Sequence, residues 1–299
     1  MLKRAFWALT LLVCLSMIAP LTALAQGDYL DVYVAQVKPD KVAEFESLAK
    51  KAVEANRRNG GDNWLTMQTV YGESDTYVFV SGRPDYASID KAGDAFFGAL
   101  TKAYGKDAAN KMMHDWESCL SSSRTELRKR RPDLSRKMPQ GEDYAKLIGE
   151  SRVLRTTAVH IRPGHAGDFE DFMKQYKESG EQAANAQPLL VSQVIEGGKG
   201  TTFYVTSLRP SLGGFDNNPS MKEILGEDGY KKFLQVSSDA IEGSHSAVFR
   251  FSAELSNPPQ AVMAVAPDFW NPKPMVASHK AKTKEAEMKP AAEKNKDQK

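Results

Sequence analysis

Side chains with chemistry to offer are few in this sequence, and their spacing decides what they could do. Cys119 is a lone thiol once the apolar N-terminal stretch holding Cys14 is set aside, and a thiol becomes a nucleophile only where its pKa is lowered. It falls on the apolar face of a predicted helix with Ala109, Met112, Met113, Trp116 and Leu120, so it reads as small core filler. The histidines are His114, His160, His165, His245 and His279. No two stand at i, i+4 and none lies near a cysteine in ligand spacing, so a metal site has no support. His114 reads as solvated, and His165 opens a helix after Gly164. His160 sits on a predicted strand; facing a cavity, its imidazole would transfer protons near neutral pH, and otherwise it is an ordinary strand histidine. Gln68 and Gln193 lie within apolar runs, where a buried amide must find hydrogen-bond partners. Each predicts a structural bond across the sheets or a contact with a bound polar group, and the structural bond is preferred. Tyr33, Tyr77 and Tyr204 add phenols on neighbouring strands, although aromatic residues favour strands for packing alone. His160, Gln68, Gln193, Tyr33, Tyr77 and Tyr204 are the candidate cavity-lining residues.

Arg124, Arg128 and Arg130 fall on one side of a faint strand spanning Arg124 to Arg131. They read either as an anion-binding wall or as a charged edge strand that discourages pairing with other chains, and the edge is preferred. Gly197-Gly198-Lys199-Gly200 joins two predicted strands and lacks the helix N-terminus that a phosphate-cradling loop needs. No nucleophile-elbow sequence is present. The arginines have no aromatic interleaving or RNA-binding signature, so nucleic acid is not an expected partner.

The elements that position these residues come from an internal duplication. Val37-Lys38-Pro39-Asp40-Lys41-Val42-Ala43-Glu44-Phe45-Glu46 recurs as Ile161-Arg162-Pro163-Gly164-His165-Ala166-Gly167-Asp168-Phe169-Glu170. Tyr77 to Pro84 recurs as Phe203 to Pro210, Gly105-Lys106-Asp107 as Gly226-Glu227-Asp228, and Leu134-Ser135 as Leu255-Ser256, with the offset drifting from 124 to 126 and then 121. In each copy a strand with period-two alternation is followed by a helix, two strands joined by a short turn, a second helix and a last strand. The first helix carries Val42, Phe45, Leu48, Ala49 and Ala52; its counterpart carries Ala166, Phe169, Phe172, Met173 and Tyr176. This order is the split β-α-β unit, or ferredoxin-like arrangement. Helices on one face of such a sheet leave the other face to be buried, and two copies can bury it against each other. The predicted fold class is therefore α+β, two tandem ferredoxin-like βαββαβ units packed sheet to sheet.

On the strand-Pro-x-x-x-x-x-Phe-helix opening of each copy, Pro39 with Phe45 and Pro163 with Phe169, the chain resembles the dimeric α/β-barrel superfamily over about residues 28 to 260. That group includes antibiotic-biosynthesis-type monooxygenases and NIPSNAP-like domains. The resemblance implies an intrachain dimeric α/β barrel with a ligand cavity between the sheets and, in some members, oxygen chemistry without a cofactor or with haem. No cofactor is called for by the sequence itself, and haem is left open. Two functions follow: a small-ligand-binding or partner-binding protein, and, as the alternative, a monooxygenase-like enzyme acting on a small aromatic or electron-rich substrate.

Composition supports a folded body, with 41% hydrophobic and 26% charged residues in a chain of 299. Lys3 and Arg4, an apolar run from Ala5 to Leu24 and the ending Ala23-Leu24-Ala25 have the order of a cleaved signal peptide. Secretion or a periplasmic location is expected, with cleavage after Ala25, and lipidation at Cys14 is disfavoured by the bulky Val13 before it. Lys3 and Arg4 account for the whole net charge of +2. Residues 271–299 carry eight lysines against four acidic residues, so residues 26–270 are left at −4. A mildly acidic body has no general attraction to nucleic acid or anionic membranes. The expected organisation is a signal peptide (1–25), repeat 1 (26–135), a linker (136–151), repeat 2 (152–260), and a Pro-containing segment with a disordered Lys/Ala/Glu-rich tail (261–299). No later stretch is apolar enough to span a bilayer. The expected partner is a small molecule, and a monomeric pseudo-dimer is expected rather than an obligate homodimer.

Overall fold

The computed structural model of the chain describes residues 27–183 and 185–272. The N-terminal apolar stretch, His279 and the Lys-rich end lie outside the described residues. In β1 (Tyr29–Val37) Leu30, Val32 and Val34 alternate with Tyr29, Asp31 and Tyr33, and Pro39 then opens a single 3-10 turn that leads into α1 (Val42–Asn59). Phe45, Leu48, Ala49, Ala52 and Val53 recur at helical spacing and are all buried. Gly60, with φ 66°, ends α1 in the left-handed conformation that a side chain resists. A hairpin of β2 (Leu65–Tyr71) and β3 (Thr76–Arg83) follows, then α2 (Ala87–Tyr104), α3 (Lys106–Ser118) and β4 (Leu120–Arg130).

After α4 (Gly141–Glu150) the pattern repeats as β5 (Val153–Ile161), α5 (Ala166–Gln182), β6 (Leu190–Glu196), β7 (Thr201–Arg209), α6 (Met221–Ala240) and β8 (Ile241–Phe251). Helix α2 is absent from the sequence reading, which places one helix between β3 and β4. Only Ala92, Ala99 and Leu100 of its residues are buried, so its apolar stripe is thin. The second copy retains a remnant: α6 is broken at Gly226, φ 69°, which corresponds to Gly105, φ 84°, between α2 and α3. A capping box of Ser220 and Glu223 starts α6.

The eight strands close into one ring in the order β1-β3-β2-β8-β5-β7-β6-β4, with every neighbouring pair antiparallel. Helices cover the outside. One apolar cluster packs β1 and β3 against α1, α2 and α3 around Phe45, Tyr77 and Leu100, and another packs β5 and β7 against α5 and α6 around Phe169, Phe172 and Phe203. Cys119 is fully buried in the first cluster, where its thiol donates to the Asp115 carbonyl at 3.3 Å. Burial pushes that thiol above its ordinary pKa, the opposite of what a nucleophile needs.

The third cluster fills one end of the barrel. Tyr144, Ala145 and Ile148 of α4 pack with Val262 of α7 (Gln260–Val265), with Trp270 of α8 (Pro267–Trp270), and with Leu154, Phe249 and Phe251 of the barrel wall. Gly149 permits the close approach, since a Cβ there would lie 2.6 Å from Cβ of Val265. Trp270 is completely buried and donates its indole N–H to the Gly149 carbonyl at 2.9 Å, while Arg57 of α1 reaches the Trp270 carbonyl at 3.0 Å. The connection between the repeats is thus a helix that stops one mouth of the barrel, and the segment after Pro259 helps to hold it there.

Candidate functional site

Strand parity decides which side chains enter the barrel. Leu30, Val32 and Val34 of β1, Leu65 and Met67 of β2, and Val78 and Val80 of β3 point inward from the first half. Leu154 of β5, Leu190 of β6, Leu208 of β7, and Phe249 and Phe251 of β8 do so from the second, and Met138, Tyr144, Ile148 and Val262 close the stoppered end. These residues leave a cavity of about 180 Å³. Arg124, Arg128 and Arg130 of β4 stand in its wall, joined by Thr156, Ser192, Tyr204 and Thr206. The lining contains no Asp, Glu, Lys, His or Cys among the described residues.

Glu126 shares the inward parity of β4 and collects two of the three arginines. Arg128 donates from Nε at 2.8 Å and approaches with Nη2 at 2.6 Å; Arg124 donates from Nε at 2.9 Å, and the Tyr204 hydroxyl donates at 3.2 Å. The Arg128 guanidinium also lies 3.4 Å from the centroid of the Tyr204 ring, a cation–π contact. Burial would raise the Glu126 carboxyl, but the charge of Arg128 and the hydrogen bonds from both arginines outweigh it and hold the pKa below the ordinary value. Arg130 is different. It donates to the Tyr144 hydroxyl, its guanidinium sits 4.7 Å from that ring centroid, and no carboxylate pairs with it among the described residues. Its Nε is buried without a hydrogen-bond partner.

The anticipated edge strand is not found at Arg128 and Arg130. β4 is paired by β1 on one side and, through Leu127–Arg130, by β6 on the other, so both arginines belong to a closed wall. Arg124 lies on the part of β4 paired to β1 alone, and its side chain is 55% exposed.

Of the six residues proposed to line a cavity, the structure places Tyr204 there and the other five on the outer, helix-bearing face or at the surface. Gln68 donates to the Tyr77 hydroxyl at 3.0 Å, and Tyr77 donates to Glu46 of α1 at 2.7 Å. Burial, followed by the bond to Glu46, drives the Tyr77 phenol well above its ordinary pKa. The second copy rebuilds this bracket with different chemistry. Phe203 replaces Tyr77 and has no hydroxyl; Arg131 instead donates to Gln193 at 2.7 Å and to Glu170 of α5 at 2.8 Å, with its guanidinium 5.8 Å from the Phe203 ring centroid. Tyr33 packs on Phe79 at 5.9 Å and accepts from the Trp116 indole at 3.4 Å. His160 is exposed and its Nδ1 shares a hydrogen bond with Thr202 at 3.0 Å. His114 and His245 are exposed too, and His165 pairs with Asp168 at 2.8 Å.

The ring has two seams where the repeats meet, β2 with β8 and β4 with β6, and each joins the second strand of one repeat to the last strand of the other. A two-fold dimer of βαββαβ subunits has that arrangement. The chain has the dimeric α/β-barrel fold, built from one polypeptide. Solved structures similar to this barrel include a candidate monooxygenase from Lactobacillus acidophilus, 8% identical over 75% of this chain and 93% of its own, with a TM-score of 0.46. An anthrone oxidase-like protein is 11% identical over 77% and 93%, with a TM-score of 0.49. A haem-binding protein from Thermus thermophilus is 14% identical over 77% and 93%, with a TM-score of 0.42. No protein-family model and no curated protein matches the chain.

The barrel's interior does not fit a haem. Its lining offers the iron no imidazole or thiolate, and its two phenols are engaged, Tyr144 by Arg130 and Tyr204 by Glu126. No group of three His, Cys, Asp or Glu among the described residues is placed to hold a metal ion, and no described helix is long and apolar enough to cross a membrane.

Proposed function

We propose that this protein is an exported carrier or sensor of a small, largely apolar molecule held inside the barrel. The observation that carries the reading is the cavity of about 180 Å³, which the inward side chains of eight strands fail to fill and which α4, α7 and α8 stopper at one end. Closely packed interiors have few voids larger than a water molecule, so an apolar space of this size supports a ligand. Binding is favoured over proton-transfer catalysis because the candidate base, His160, stands outside the cavity. Glu126 is held as a carboxylate between arginines and makes a weak proton acceptor. Export rests on the charged, apolar, small-residue order of residues 1–25.

Native mass spectrometry on the protein recovered from a periplasmic extract tests both parts. A chain beginning at Gln26 and carrying a small organic mass that is lost on denaturation is the expected result. Absence of the chain from that extract refutes export, and a chain that retains residues 1–25 refutes cleavage; an adduct-free chain that also takes up no apolar probe refutes the binding role.

A further inference from the structure

Resting on that cavity reading, we infer that the ligand is an amphipathic carboxylate: its anion pairs with Arg130, and its apolar body lies against the opposite wall. In the ring, β4 and β8 are four strands apart and therefore face one another across the barrel. They are also the equivalent last strands of the two repeats. At the offset of 121, Arg128 and Arg130 correspond to Phe249 and Phe251, so the duplication has produced a cationic wall facing an aromatic one. All four side chains line the cavity.

The charge on the cationic wall is not balanced from within. Glu126 is taken by Arg124 and Arg128, and Arg130 is left with a neutral phenol and a buried Nε that donates to nothing. A buried donor without a partner is costly, and a cation without a counter-ion more so. A carboxylate in the cavity supplies the missing counter-ion, because a guanidinium presents paired N–H groups that a carboxylate accepts side by side. A neutral apolar molecule would fill the cavity and leave the cation without a counter-ion.

The test compares octanoate with 1-octanol as probes, by titration calorimetry at neutral pH on the intact protein and on Arg130→Met. Octanoate is expected to bind the unaltered protein at least about tenfold more tightly than octanol, the ratio that one charge-assisted hydrogen bond supplies, and Arg130→Met is expected to abolish that preference while keeping octanol binding. Equal binding of the two probes, or a preference for octanoate that survives Arg130→Met, overturns the carboxylate assignment and leaves the cavity reading standing. Binding of neither probe overturns the cavity reading as well. Should Arg130→Met fail to fold, the two-probe ratio on the unaltered protein, repeated with Arg130→Lys, decides the question: the point charge of lysine is expected to keep part of the preference, and a ratio near one refutes it.

Discussion

Glu126→Gln removes one buried charge from between Arg124 and Arg128 and almost no volume. The Glu126 side chain is 6% exposed and that of Arg128 is 11% exposed, with 2.6 Å between the paired atoms. Taking one partner from a buried ion pair costs about 3–5 kcal/mol, because the other charge stays buried and unpaired. The Arg124 pair, with that arginine 55% exposed, adds no more than about 1 kcal/mol. The amide oxygen of glutamine still accepts one of the vacated N–H groups, which puts the total near the lower bound, about 3 kcal/mol. For a domain of this size that is a fall in melting temperature of roughly 6–12 °C. Urea unfolding and calorimetry at pH 7 measure it. Replacing both partners, Glu126→Met with Arg128→Met, is expected to recover most of the loss, since the double change leaves no unpaired charge from that pair. A single variant within about 1 kcal/mol of the parent, or a double variant less stable than the single, would refute the claim that Glu126 and Arg128 form a buried, mutually dependent pair.

Trp270→Ala is expected to cost about 3–5 kcal/mol and to speed hydrogen exchange in α4, because the indole stacks on the α4–α7 contact and bonds the Gly149 carbonyl; unchanged exchange at Tyr144–Ile148 would show that α8 does not secure the stopper. Acid should also loosen the molecule. Glu126 and Glu170 both have carboxyl pKa values held below the ordinary 4.5 in the folded state, so their contribution is complete above that value and disappears as pH falls through the lowered folded values. Unfolding free energy measured down the acid limb is expected to fall less steeply in Glu126→Gln than in the parent, and parallel curves would remove Glu126 from the explanation.

The architecture was legible because it is written twice. A strand, a proline and an amphipathic helix open each unit, and the second copy confirms the first at an offset of 124. The facing of a strand such as β1 was not legible, because both of its sides are buried: Val32 and Val34 face the cavity while Ala35 and Val37 face the helices, and all four are apolar. Period-two alternation shows that Arg124, Arg128 and Arg130 share a side, but their direction depends on β6, which the other repeat supplies. Gln68 and Gln193 were conspicuous as amides in apolar runs, yet the acids they serve, Glu46 and Glu170, lie on helices about twenty residues earlier. Helix α4 escaped for a different reason. Tyr144, Ala145 and Ile148 form a helical stripe, but it falls between the repeats, where no second copy marks it as an element.

Arg131 gives the duplication a direction. It follows β4 of the first repeat, yet its hydrogen bonds fasten α5 and β6 of the second. The matching position at the end of β8 is Ser252, which has no cation to offer. Without Arg131, Glu170 and Gln193 would face only the bare phenyl ring of Phe203. The two repeats are therefore not interchangeable at this seam, because the second draws on a cation that only the first supplies.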